Sequence, residues 1–308
     1  LSVFAENALW LSIGRFIIGI ASGLISTSAM LGLVYTIPEQ HKQNAPQFSS
    51  IITVIGFGLG PFIGGLIAQF STAPLITPYI PVILGGIACL IGLFLIKTPS
   101  FEPQPFSIAP HLELPEPQFK ARFYIAGLTA FCAFGSFSLF ASLAPSFVKE
   151  AIPWHGPLVS GSAIASILLV SALVQFFAKS FEPAKCVNAG LIVLICSYVL
   201  LALCMTLHWS SLFFISDILV GVGHGLGLLG AFGLVHQMTR PENRAAVIST
   251  YLFIGYLGTI IPIIVAGYLS DHFGLIAGVL GFCIGVGLLC LLLLVWQKKL
   301  DSRIPAKK

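Results

Sequence analysis

Charged residues are scarce in this chain: only 8% of its 308 residues are Asp, Glu, Lys or Arg, whereas 57% are apolar. A soluble domain carries about a quarter charged residues, so this scarcity excludes an ordinary soluble enzyme. The apolar excess also excludes a disordered chain, which would be rich in charge. The sequence therefore predicts an integral membrane protein.

Several chemical signatures are also missing. The seven cysteines form no CxxC pair and the histidines show no metal-ligand spacing, so neither a disulfide framework nor a metal site is expected. No Ser-His-Asp group, phosphate-binding glycine loop or ATP-binding motif is present. We therefore expect no catalytic residue, no cofactor and no nucleotide partner. No basic stretch with interleaved aromatic residues indicates a nucleic-acid partner.

Long apolar runs dominate the chain instead. A helix needs about 20 mostly apolar residues to cross the hydrocarbon core of a bilayer. Nine such runs predict an all-α, polytopic membrane protein with nine transmembrane helices. The runs are Leu9–Tyr35, Phe48–Phe70, Tyr79–Ile96, Phe123–Val148, Leu158–Phe177, Cys186–Leu207, Leu212–Val235, Ala246–Leu269 and Leu275–Trp296.

The basic residues predict the orientation of these spans. Every Lys and Arg except Arg15 and Lys149 falls in one set of alternate loops or in the C-terminal tail. Loops rich in Lys and Arg stay in the cytoplasm, so the C-terminus is expected there and the N-terminus outside. The expected location is the bacterial inner (cytoplasmic) membrane. The net charge of +4 reflects this bias.

A proline-rich stretch divides the spans into two groups. Residues 97–118 contain six prolines, which predicts an extended linker. We expect a partial bundle of three helices at 1–97, a cytoplasmic linker at 98–119, a complete six-helix bundle at 120–297 and a basic cytoplasmic tail at 298–308.

An internal repeat links the two groups. Arg15–Leu24 and Asp217–Leu226 share the pattern polar, three apolar, Gly, apolar, small, polar, Gly, Leu. Spans one to three then correspond to spans seven to nine. The interpretation is an incomplete 6+6 pseudo-twofold repeat, a plan known from transporters.

Asp217 and His224 are candidate proton-carrying residues of the seventh span. They lie seven residues apart and therefore on one helix face, with Gly221 between them. Gly221 is expected to leave a notch that water or a substrate enters. Both side chains accept and release protons, so the pair is expected to pass them. The alternative is a structural role, with one interhelical hydrogen bond for each residue.

One segment resembles a family signature. Gly56-Phe-Gly-Leu-Gly-Pro-Phe-Ile-Gly-Gly65 matches GxxxGPxxGG and is similar to the fifth-helix motif of proton-coupled antiporters in the major facilitator superfamily. Its bare backbone favours close helix approach, and its proline bends the helix. The residues that carry the motif are Gly56, Gly60, Pro61, Gly64 and Gly65.

Arg15 belongs to a second resemblance. Leu11-x-x-x-Arg15-x-x-Ile18-Gly19 is similar to the family's fourth-helix motif, whose arginine is implicated in proton coupling, although Ile18 replaces a polar residue. Alternatively, Arg15 extends to the membrane interface. On this resemblance the chain is an N-terminally truncated member with family helices four to twelve.

The resemblance implies a secondary active transporter. It indicates proton-coupled efflux of a drug or small metabolite by alternating access, with a small molecule, protons and the lipid bilayer as partners. One alternative is proton-linked uptake of a sugar, peptide or organic acid. Another is a truncated membrane remnant without transport activity.

Overall fold

The computed structural model of the protein describes residues 7–36, 38, 40, 45–95, 112–151, 156–240 and 242–301, and these residues form helices without any strand. The helices are α1 (Ala8–Thr36), α2 (Ala45–Phe70), α3 (Tyr79–Leu95), α4 (Lys120–Ala151), α5 (Pro157–Ala178), α6 (Pro183–Leu207), α7 (Ser211–Gln237), α8 (Arg244–Phe273) and α9 (Leu275–Asp301). The predicted all-α fold class is confirmed, and each predicted run lies within one helix, apart from Ile96, which is outside the described residues.

The number of membrane spans is close to the prediction. Within the described part of the chain, seven helices are long and apolar enough to cross a bilayer. The apolar stretches Gly56–Phe70 in α2 and Tyr79–Leu95 in α3 are shorter. Outward-facing side chains such as Phe177, Ile264 and Leu292 are exposed and apolar, as expected for helices surrounded by lipid.

Local sequence explains where several helices begin and end. Proline occupies the first turn of α5 and α6, where its missing N–H would have no helical partner in any case. Helix α6 ends at His208, which adopts the left-handed conformation at φ 52°. Helix α8 ends before Gly274, whose φ of 91° suits a residue without a side chain and turns the chain into α9.

The chain divides into two compact units, residues 1–106 and 107–308. The first unit contains α1 to α3, and α1 packs against α2. The second unit contains α4 to α9, in which α7 packs against α4, α5 and α6 while α4 also contacts α8 and α9. The buried apolar core of the second unit includes Phe123, Phe140, Leu194 and Phe213.

The later part of the predicted linker belongs to the second unit and contacts its other residues. The Thr250 hydroxyl donates a hydrogen bond to the carbonyl oxygen of Glu113 at 2.7 Å, and Glu116 forms an ion pair with Arg240. Pro115 is buried, and a single 3-10 turn precedes α4. Residues 98–111 of the predicted linker and 302–308 of the predicted tail lie outside the described residues. Helix α9 continues to Asp301, past the predicted end of the bundle at 297.

Candidate functional site

Two side chains of α7 form hydrogen bonds with the same neighbouring helix. Asp217 Oδ2 accepts a hydrogen bond from the Ser166 hydroxyl of α5. His224 Nδ1 lies 2.8 Å from Ser171 Oγ, also on α5. The spacing of seven residues does place both on one face, about 10 Å apart along the axis.

Asp217 is enclosed by apolar surroundings. Its side chain is 4% exposed, and its Oδ1 atom has no hydrogen-bond partner among the described residues. No ion pair with Asp217 is present in that part of the chain either. A charged carboxylate within a span costs about 2.5–3.5 kcal/mol on insertion scales, and here a single hydroxyl offsets that cost. Asp217 is therefore suited to bind a proton or a positively charged group.

A cavity adjoins this carboxylate. It has a volume of about 470 Å³ and lies between the first halves of α5 and α7. Its walls are mainly apolar, and the polar residues among its described lining are Ser162, Ser166 and Asp217. Asp217 is the most buried residue of the lining, whereas Phe214 and Ile218 are each 45% exposed. The carboxyl group thus lies at the inner side of a cavity with an apolar rim.

His224 belongs to a separate chain of hydrogen bonds. Gln175 Nε2 donates to Ser171 Oγ at 3.1 Å, and Ser171 Oγ contacts His224 Nδ1. Because Ser171 accepts from Gln175, its own proton is available to Nδ1, which favours the neutral tautomer protonated at Nε2. The imidazole ring lies 6.1 Å from the ring of Phe134 and 6.3 Å from that of Phe137, between ring centroids. Aromatic rings from α4 therefore flank this second polar position.

The notch expected at Gly221 is filled. A Cβ atom added at Gly221 would lie 2.8 Å from Val170 Cβ and 3.0 Å from the carbonyl oxygen of Ile167. Helix α5 therefore occupies the space that a side chain would need. The predicted opening for water or a substrate was wrong because a missing side chain also allows a neighbouring helix to approach.

The α5 partners of these residues were missed from the sequence. Ser166 and Ser171 are ordinary small polar residues within an apolar run, and membrane helices contain many of them. Ser162 and Ser166 are spaced by four residues, as are Ser171 and Gln175, so the members of each pair share a helix face. The two pairs point in different directions around α5, so the spacing alone did not mark the side that contacts α7.

Arg15 lies in α1, within the first unit, and its side chain is exposed. Asp217 and His224 lie in the second unit. The structure describes the two units separately, so Arg15 and the α7 pair are not brought together in one described site. A role of Arg15 in proton coupling remains a prediction.

The glycine- and proline-containing signature lies within α2, which continues through Pro61. A Cβ atom added at Gly56, Gly60 or Gly64 would meet no heavy atom of the described residues within 4 Å. Gly65 is buried. At Gly56, Gly60 and Gly64, the close helix approach expected from the motif is therefore not observed among the described residues.

The cysteines are dispersed through the helices as free thiols. Cys132, Cys186, Cys204, Cys283 and Cys290 are buried, while Cys89 and Cys196 are exposed. Among the described residues, no group of three or more His, Cys, Asp or Glu side chains is placed to hold a metal ion.

The fold and the site together define a class of protein. Apolar helices long enough to span a bilayer surround ionisable side chains at helix contacts, an arrangement that marks substrate and proton pathways in membrane proteins. The model of the Major Facilitator Superfamily matches residues 1–261 and 181–308, and the two matches together cover the chain. This chain belongs to the Major Facilitator Superfamily.

A curated relative agrees with this assignment. The "MFS-type transporter gkaD" of Penicillium citrinum is 34% identical over 106 residues. The match covers 32% of this chain and 17% of that protein, so the chain aligns with less than a fifth of its relative's length.

Proposed function

We propose that this protein is a proton-coupled secondary transporter that exports a drug or small metabolite by alternating access. The observation that carries the proposal is the carboxyl group of Asp217, which is buried between membrane-spanning helices with one hydroxyl partner. The superfamily membership supports transport. The α2 signature, which resembles that of proton-coupled antiporters, supports export in exchange for protons.

The surroundings of Asp217 make the free energy of its carboxyl group depend on whether a proton is bound. An ionised carboxylate inside a span is costly unless water, a cation or several hydrogen-bond donors surround it. Binding a proton removes that cost, whereas opening the adjacent cavity to water would favour release of the proton. The protonation state of Asp217 is then linked to the conformation of α5 and α7, as alternating access requires.

His224 is proposed as a second proton-binding group. Its own hydrogen bonds are separate from those of Asp217, because the packed seam around Gly221 lies between them. Protons therefore reach the two groups independently in this conformation. We further propose that Arg15 contributes to coupling from the first unit and that the C-terminus faces the cytoplasm.

Proton-driven flux in reconstituted vesicles tests this function. A panel of neutral, cationic and anionic fluorescent small molecules would be screened for movement driven by an imposed pH gradient. We expect Asp217→Asn to reduce gradient-driven flux at least about tenfold while leaving exchange of substrate across the membrane without a gradient measurable.

Asp271→Asn provides the matched control. Asp271 is an exposed carboxylate in the last turn of α8 and is not among the described residues that line the cavity, so its replacement should leave flux unchanged. Full gradient-driven flux by Asp217→Asn would show that this carboxyl group is not the coupling site.

A further inference from the structure

The exposed face of α6 changes from apolar to basic in its first turn. Ile192 and Val199 are exposed and lie seven residues apart, and the exposed Lys185 precedes Ile192 by the same interval. Residues seven apart share a face of an α-helix, so these three side chains form one stripe. Lys185 also forms an ion pair with Glu182 at 3.1 Å, but both side chains remain mostly exposed, and such surface pairs contribute little. Lys185 is therefore accessible to a further anion.

The exposed face of α9 ends in the same way. Leu291 and Leu292 are exposed, and the exposed Lys298 and Lys299 follow them by seven residues. By helical rise, about 10 Å separates the leucines from the lysines along the axis. Exposed leucines at this depth suit the acyl chains of a bilayer, and long lysine side chains reach toward its headgroups. A second stripe on α9 therefore matches the stripe on α6.

The two stripes belong to antiparallel neighbouring helices. Gln297 Nε2 of α9 donates a hydrogen bond to the carbonyl oxygen of Ala184 of α6 at 3.3 Å. Farther along the same two helices, the ring centroids of Tyr198 and Phe282 lie 6.0 Å apart. Helix α4 also contacts both helices, so their exposed residues lie on the side away from α4. The two stripes thus form one outward surface, which we call the α6–α9 surface, with its lysines at one end.

The lysine end of the α6–α9 surface carries an excess of positive charge. Its lysines are Lys185, Lys298 and Lys299. Arg122 of α4 adds a fourth basic side chain, since it lines a small cavity together with Ala184 and Gln297. The acidic residues in the sequence of the two helix ends are Glu182 and Asp301. Four basic residues against two acidic ones favour an anionic partner.

We propose that the α6–α9 surface binds an anionic phospholipid, with the headgroup at the lysine end and an acyl chain along the apolar stripes. A soluble anion would gain nothing from the exposed leucines, and a zwitterionic lipid would gain little from the excess of positive charge. The charge and the apolar surface together therefore select a lipid with net negative charge. The proposal does not rest on the transport function, because lipid binding is measured without substrate or a proton gradient.

Trp296 provides a reporter for this lipid. It lies in α9 between the exposed leucines and the lysines and is itself 36% exposed. A brominated acyl chain quenches tryptophan fluorescence on contact. Quenching would be measured in the full chain with Trp10, Trp154 and Trp209 replaced by Phe, reconstituted into bilayers that mix brominated phosphatidylcholine with phosphatidylglycerol, and the reverse. The two series give the affinity for phosphatidylglycerol relative to phosphatidylcholine at this position.

We expect phosphatidylglycerol to bind at least about fivefold more tightly than phosphatidylcholine, the factor that a single lysine contributes near an anionic lipid surface. Equal affinities would overturn the proposal. Quenching by neither lipid would overturn it as well, because a protein surface such as a second copy of the chain would then cover the reporter. Displacement of brominated phosphatidylglycerol by soluble glycerol phosphate would show a site for a free anion and would also contradict the proposal.

Lysine variants locate the headgroup. Lys185→Gln and Lys299→Gln should each reduce the preference for phosphatidylglycerol at least about threefold, and Lys185→Arg should retain it because the charge is kept. Lys179→Gln is the matched control. It removes the same charge at the same end of the second unit, but Lys179 follows α5 and contacts the ring of Phe176, so the preference should not change. An equal loss in Lys179→Gln would show that the general surface potential explains the preference, and the proposal would be wrong.

Discussion

At the scale of single residues, His224 depends on a short chain of side-chain hydrogen bonds. The imidazole is 4% exposed, and Ser171 is its hydrogen-bond partner among the described residues. A buried polar atom that loses its partner destabilises the folded state, because water does not replace the lost bond. Interhelical hydrogen bonds of this kind contribute about 0.6 kcal/mol on average in a membrane protein and up to about 2 kcal/mol in model peptides.

Ser171→Ala is expected to lower the free energy of unfolding by about 1–2 kcal/mol because it leaves His224 Nδ1 without its partner. Reversible denaturation with SDS in mixed micelles measures this difference. Ser249→Ala is the matched control, since Ser249 is exposed and its hydrogen bond among the described residues goes to the carbonyl of Ala245 in its own helix. Equal stability of the two variants would show that the Ser171–His224 contact is energetically neutral.

At the scale of helices, glycine allows α7 to contact two neighbours through backbone atoms. Gly221 and Gly225 face α5, while Gly223 and Gly230 face α6. On α6, a Cβ atom added at Gly190 would lie 2.6 Å from the backbone nitrogen of Gly227 and 2.8 Å from its Cα. Backbone atoms have little freedom to move aside, so even one methyl group would separate the helices.

Gly190→Ala is therefore expected to destabilise the protein by about 1–3 kcal/mol, the usual cost of overpacking a close contact. Gly285→Ala in α9 is the control, because a Cβ atom there meets nothing within 4 Å. Alanine is the better helix former and should leave stability unchanged or raise it by up to about 1 kcal/mol. SDS denaturation of both variants measures the contrast, and equal effects would argue against backbone contact between α6 and α7.

The helices themselves were predictable, whereas their packing was not. Twenty consecutive apolar residues specify a helix because the backbone must satisfy its own hydrogen bonds in lipid, and each predicted run did become one. The common face of Asp217 and His224 followed from helical geometry alone. Gly221 shows what the sequence could not predict. A missing side chain permits either a cavity or close approach of a neighbouring helix, and only the tertiary structure shows which of the two occurs. Ser166 and Ser171 were missed for the same reason.

At the scale of the whole molecule, the distribution of charge predicts how the chain is inserted. Lys298 and Lys299 occupy the last turn of α9 and are exposed, as are Lys179 and Lys185 beside the loop from α5 to α6. The end of α9 and the loop from α5 to α6 thus place basic side chains at one end of the second unit. The positive-inside rule predicts that this end faces the cytoplasm.

Cysteine labelling in intact cells would test this orientation. In a background with the seven native cysteines replaced, Asp271→Cys should react with a membrane-impermeant maleimide, because the end of α8 is expected outside. Lys299→Cys should react only after the membrane is permeabilised. The reverse pattern would invert the topology, and labelling of both positions in intact cells would show that α9 does not cross the membrane.

The glycines of α7 that face α5 (Gly221 and Gly225) and α6 (Gly223 and Gly230) restrict how these helices move against each other. Packed helices shear past each other by small adjustments of the side chains between them. Beside Gly225 and Gly190, main-chain atoms of α7 lie directly against those of α5 and α6, so these contacts have no side chains between them that could adjust. Helices α5, α6 and α7 should then move as one rigid body when the protein changes conformation. Spin labels on their outward surfaces would keep constant separations while other parts of the molecule rearrange.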